Sequence, residues 1–122
     1  MFAIVVDDSA AMRRHLSKAL EGLGWQVKGA ANGVEAMRLL EGGPRCDLVL
    51  TDWHMPEMDG MELCRTVRKD AKYSNVRIVM VTSDSVMSSV GEAMKAGAND
   101  FVMKPFSKEA LIERVNEVMA KD

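Results

Sequence analysis

Short aliphatic, β-branched runs recur at Ala3–Val6, Gln26–Gly29, Leu48–Thr51, Ile78–Thr82 and Phe101–Met103, and longer segments between them carry apolar residues at helical spacing. That alternation predicts five βα units. In the first helical segment Met12, Leu16, Ala19, Leu20 and Leu23 share a face, Arg13, Arg14 and Lys18 lie elsewhere, and Gly24 closes the pattern. The last segment shows Leu111, Ile112, Val115, Val118 and Met119 behind Ser107, a candidate N-cap following Pro105. Asn32 and Asp59 stand just before two further helical runs, while Gly42, Gly43 and Pro44 break the chain ahead of the third strand.

Strands one, three and four are almost unbroken Val, Ile and Leu, as expected when helices cover both faces of a parallel sheet. The expected architecture is an α/β three-layer flavodoxin-like (βα)5 fold, its five-stranded parallel sheet in the order 2-1-3-4-5. Such sheets bind ligands outside the carboxyl ends of the strands, here near the switch point between strands one and three. The chain of 122 residues is the size of one domain, taken as residues 1–122.

Composition narrows the function classes. With 48% apolar and 28% charged residues the chain falls in the soluble range, and no apolar run approaches the roughly 20 residues needed to cross a bilayer. The start shows no secretory signal, so a cytoplasmic protein without membrane insertion is expected. The formal charge is −2 and no basic cluster is interleaved with aromatics, which argues against direct nucleic-acid binding. Cys46 and Cys64 lack metal-type spacing and read as reduced structural thiols. Of eleven methionines, Met12, Met37, Met94 and Met119 fall on helical stripes and read as core filling.

The chemistry gathers at the strand ends. Strand one ends in Asp7 and Asp8, strand three in Asp52, strand four in Thr82 and Ser83, and strand five in Lys104 and Pro105. Each alone has a bland reading as a turn, a cap or a surface residue, and only the joint placement on one sheet edge carries weight. Crowded carboxylates repel, so such a site takes up protons or recruits a cation, and an all-oxygen donor set suits a hard ion such as Mg2+. Asp52 can act as a nucleophile toward phosphorus, with the Lys104 ammonium and the Thr82 hydroxyl offsetting charge on the transferred group.

On Asp7-Asp8, on Asp52 followed by Met55-Pro56-Glu57-Met58-Asp59-Gly60, on Thr82-Ser83 and on Lys104-Pro105-Phe106, the whole chain resembles the receiver domains of two-component response regulators. It is most similar to the single-domain kind used in chemotaxis. The resemblance implies that Asp52 is the phosphorylated residue and that Asp7, Asp8, Asp52 and the backbone carbonyl of His54 hold Mg2+. It further implies that Thr82 and Phe101 form the switch, that Lys104 binds the phosphoryl group, and that the Lys104–Pro105 bond is cis, with Pro105 positioning Lys104. A histidine kinase would be the phosphodonor. An unknown downstream target would read the face built from the fourth helix, fifth strand and fifth helix. No multiple-turnover reaction is expected. Phe101 stands where the family commonly has Tyr, so inward packing rather than a phenol hydrogen bond would be its signal. His54 and Asp84 occupy positions that in this family tune acyl-phosphate lifetime, and Trp53 would report on the metal beside it.

Two rivals share parts of this pattern. A flavodoxin-like nucleotide binder needs a Gly- or Ser/Thr-rich loop after strand one, where Asp7-Asp8 puts negative charge instead. An Asp-nucleophile phosphatase of the haloacid-dehalogenase type needs a second acid two residues after the first, where Ala10 stands. The sequence ends directly after the last helix, so output through partner proteins is expected unless it is part of a longer regulator.

Overall fold

Four helix starts are each set by a short polar side chain that takes up an otherwise unpaired backbone N–H. In the computed structural model, which describes residues 1–83 and 90–121, Ser9, Asn32, Asp59 and Ser107 cap the helices α1 (Ala10–Glu21), α2 (Gly33–Gly42), α3 (Gly60–Lys69) and α5 (Lys108–Ala120). A seven-residue α4 (Val90–Ala96) lies between α3 and α5. The strands are β1 (Phe2–Val6), β2 (Gln26–Ala30), β3 (Leu48–Asp52), β4 (Arg77–Ser83) and β5 (Asp100–Lys104).

All pairings are parallel and the order is β2-β1-β3-β4-β5, as the sequence pattern predicts. Alternation along the strands divides the core in two. Ile4, Val6, Val49, Ile78 and Met80 pack with Ala36, Leu63, Cys64, Val67 and Ala93 from α2, α3 and α4. On the other face Ala3, Val5, Leu48, Leu50, Val79 and Val102 pack with Leu16, Leu20, Leu111, Val115 and Val118 from α1 and α5. Each such aliphatic side chain taken from water contributes about 1.5–3 kcal/mol. Register brings the strand ends level: Val6 pairs with Ala30 and Thr51, Asp52 with Val81, Thr82 with Met103 and Ser83 with Lys104.

Two core assignments are corrected. Leu23 is 39% exposed, because α1 stops at Glu21 and the chain turns through Gly24 at φ +87° before Trp25 N–H returns to the Leu20 carbonyl. Met94 is 42% exposed, since α4 turns its neighbour Ala93 toward the sheet instead. Met12, Met37 and Met119 do pack against the core. Cys46 and Cys64 are both free and buried; burial pushes the Cys46 thiol up to about 11 and raises that of Cys64. No helix among the described residues is long and apolar enough to cross a membrane.

Candidate functional site

Asp7 is the first residue past β1, and its backbone N–H still reaches the Ala30 carbonyl at 3.0 Å. Its carboxylate Oδ1 accepts the Ser9 N–H at 2.9 Å, and the Ser9 hydroxyl in turn accepts the Met12 N–H, so the acidic turn is built into the start of α1. The other oxygen, Oδ2, is buried without a hydrogen-bond partner and has Lys104 Nζ at 3.7 Å. Burial raises the pKa of this carboxyl above its ordinary value, and repulsion from Asp52 and Asp8 adds to that; the Ser9 N–H and the Lys104 ammonium act against it.

Asp52 closes β3. Its Oδ1 accepts the Trp53 N–H at 2.9 Å and lies 3.3 Å from Lys104 Nζ. Lys104 comes from the end of β5, and its bond to Pro105 is cis. Asp7, Asp8 and Asp52 each offer an oxygen within 4.8 Å of the others. Burial grades from Asp7, which is enclosed, through Asp52 to Asp8 on the surface. An all-oxygen donor set with one orphaned buried oxygen fits a hard divalent cation such as Mg2+, which prefers few carboxylates and keeps several waters.

The loop after Asp52 is clamped by features that motif reading passed over. Gly60 N–H binds the Trp53 carbonyl at 2.8 Å, and a side chain at Gly60 would run into the Asp52 carbonyl oxygen. Gly33, at the start of α2, donates to the Met58 carbonyl at 3.0 Å, and a Cβ there would strike the Met58 side chain at 2.6 Å. Between them Glu57 sits at φ 66°, an uncommon left-handed backbone for a non-glycine residue. Glycines directly after an N-cap, where alanine would favour the helix, were the available signal.

The remaining expected residues are distributed as follows. Thr82 is buried, and its hydroxyl donates to the Ser83 carbonyl at a long 3.5 Å. Phe101 is half-buried against the core cluster on the α2–α3–α4 side, beside Met80 in the sheet. Trp53 is buried in that cluster, with the exposed His54 ring 6.3 Å from its own. His15 lies against Phe106 at 5.8 Å, apart from His54. Asp84 falls outside the described residues. A cavity of about 390 Å³ opens at the opposite end of the sheet, between the segments leading into β3 and β4, and has no part in the carboxylate cluster.

A five-stranded parallel α/β sheet with an acidic cluster and a lysine at its carboxyl edge is the arrangement of a receiver-type signalling domain. The family model for the response regulator receiver domain matches residues 3–116, and the chain belongs to that family. It is 42% identical over 120 residues to a chemotaxis protein CheY homolog of Campylobacter jejuni, covering 98% of this chain and 92% of the relative. Chemotaxis protein CheY1 of Helicobacter pylori is 38% identical, covering 98% and 97%. Among solved structures, the chemotaxis response regulator CheY4 of Vibrio cholerae superposes with a TM-score of 0.89 at 32% identity, covering 96% of this chain and 97% of that one. The chain is thus a CheY-like receiver domain of two-component signal transduction.

Proposed function

We propose that this receiver takes a phosphoryl group on Asp52 from the phosphohistidine of a histidine kinase, in a Mg2+-dependent transfer, and that the phosphorylated form engages a downstream protein. The observation that carries the reading is the joint geometry of three acidic oxygens within 4.8 Å and Lys104 Nζ 3.3 Å from Asp52 Oδ1. An Asp52 carboxylate oxygen forms the new bond to phosphorus as the phosphorus–nitrogen bond breaks, and the imidazole leaves with its electron pair. Asp7, Asp8, Asp52 and the His54 carbonyl would hold Mg2+, which when bound supplies positive charge to the phosphoryl oxygens. Lys104 places its ammonium beside the acceptor oxygen before transfer and offsets charge on the group afterwards.

The switch would run through Thr82 and Phe101. Among the described residues the Thr82 hydroxyl makes a long 3.5 Å hydrogen bond to the Ser83 carbonyl, which does little to oppose a turn toward the phosphoryl group. Phe101 stands diagonal to it across the β4–β5 ladder, where Met80 pairs with Phe101 and Thr82 with Met103. Inward rotation of the ring would reshape the α4–β5–α5 face. Intact mass after incubation with acetyl phosphate and Mg2+ should rise by one phosphoryl group and by none in Asp52→Asn. Equal labelling of Asp52→Asn, or indifference to chelation of Mg2+, would overturn the assignment.

A further inference from the structure

We propose that Arg13 is a positioning residue for the acidic turn, fixing through the Asp7 backbone carbonyl the aim of the Asp7 and Asp8 carboxylates. Its Nη1 donates to the Asp7 oxygen at 2.6 Å, a short charge-assisted bond, reaching back across the start of α1. That carbonyl lies just past β1, beyond the described strand ladder, where its other recourse would be water.

The peptide linking Asp7 to Asp8 is planar, so holding its C=O direction also fixes the opposed N–H and the bond leading into Asp8. Asp7 is thereby tied at three points: N–H to Ala30, Oδ1 to Ser9, and C=O to Arg13. Asp8, exposed and without the burial that encloses Asp7, depends most on this bond for its direction.

A second observation concerns the path of the Arg13 side chain. It runs over Gly29 on the edge strand β2, where an added Cβ would lie 3.3 Å from Arg13 Cδ and 3.6 Å from Nε. Gly29 is exposed and its backbone is not in the left-handed region, so strand propensity alone would favour a larger residue there. The absent side chain leaves the space the Arg13 stem occupies.

The inference rests on the proposed Mg2+ site, and its test separates the two. Mg2+ titrations are followed by the amide shifts of residues 7–9 in wild type, Arg13→Ala, Arg13→Lys and Gly29→Val, with thermal midpoints recorded without metal. Wild type should bind. Arg13→Ala should bind on the order of tenfold more weakly, as partners that orient a metal ligand commonly do on removal. Arg13→Lys, which keeps one charged donor, should recover part of the loss. Gly29→Val should weaken Mg2+ binding while its thermal midpoint holds or rises, because valine suits a strand and only the Arg13 path is blocked. If Arg13→Ala does not fold, Gly29→Val and Arg13→Lys decide the matter. Wild-type Mg2+ affinity in both Arg13→Ala and Gly29→Val overturns the positioning role and leaves the metal site standing. A wild-type protein whose residues 7–9 ignore Mg2+ overturns the site and this inference with it.

Discussion

Replacing Asp7 with Asn should stabilise the metal-free protein while removing its response to Mg2+. The Asp7 side chain is 2% exposed, its Oδ2 lacks a hydrogen bond, and Asp52 presents a like charge within 4.8 Å. At an effective dielectric of about 20, that repulsion costs about 3 kcal/mol, and Lys104 at 3.7 Å returns about 4 kcal/mol. The two nearly cancel, so desolvation, the largest influence on this carboxyl, decides the sign. Because folding raises its pKa, folded Asp7 holds a proton more tightly than unfolded Asp7. Its contribution to stability therefore falls as pH rises through a window whose lower edge is the ordinary value of 3.8 and whose upper edge is the raised one. At neutral pH with chelator, Asp7→Asn should gain about 1 kcal/mol, a rise in Tm of about 3–6 °C for a domain of this size. The difference between variant and wild type should shrink as pH is lowered through that window. Wild type at a Mg2+ concentration near a hundred times Kd should gain about 2.7 kcal/mol, and the variant almost none. A variant less stable than wild type in chelator, or one stabilised equally by Mg2+, would refute the reasoning.

Gly60→Ala sets helix propensity, worth about 1 kcal/mol in its favour, against overpacking of about 1–3 kcal/mol where the methyl meets the Asp52 carbonyl and lies 3.0 Å from Met80 Cε. Urea unfolding should show a net loss of up to about 2 kcal/mol with slower phosphorylation, and a net gain of about 1 kcal/mol would mean that the loop yields. Thr82→Ala gives up a long hydrogen bond and a buried methyl group, so it should cost about 1–2 kcal/mol of stability and leave Asp52 phosphorylatable. It should weaken the coupling between phosphorylation and partner binding, ordinarily about 1–3 kcal/mol, measured as the affinity ratio of phosphorylated to unphosphorylated protein; a wild-type ratio would sink the switch.

The strands and three of the caps, Asn32, Asp59 and Ser107, were legible because period-2 and period-3.6 patterns and short polar cap residues act locally, and tertiary packing here agrees with them. The strand-end carboxylates and Lys104 were legible for a different reason: a parallel sheet with level strand ends turns positions far apart in the chain into neighbours. What escaped notice depends on distances that no local pattern encodes. Arg13 read as a solvated residue on the polar side of α1, and only the 2.6 Å approach to Asp7 distinguishes it from Arg14. Gly33 and Gly60 read as ordinary helix starts, yet each is small because another segment's backbone or side chain passes close by. Leu23 and Met94 matched an apolar stripe and failed as core because helix length and facing, not spacing alone, set burial.

The charge balance of the site ties its chemistry to its switching. Three carboxylates crowd negative charge in a partly enclosed space, which the raised proton affinity of Asp7 and the position of Lys104 between Asp7 and Asp52 ease. A dication beside the acidic oxygens would offset the repulsion that remains. Phosphorylation then replaces the single charge of Asp52 with a group carrying up to two, and the surplus has to be met by whatever polar hydrogens can still move. Lys104 is already engaged by two carboxylates and the Trp53 N–H is already bound to Asp52. Among the described residues the buried Thr82 hydroxyl, bound at a long 3.5 Å to the Ser83 carbonyl, is the donor with least to lose by turning. Under the proposed switch, the group that turns is the one whose described contacts are weakest, and its turn would carry a chemical change at Asp52 across the β4–β5 ladder to Phe101.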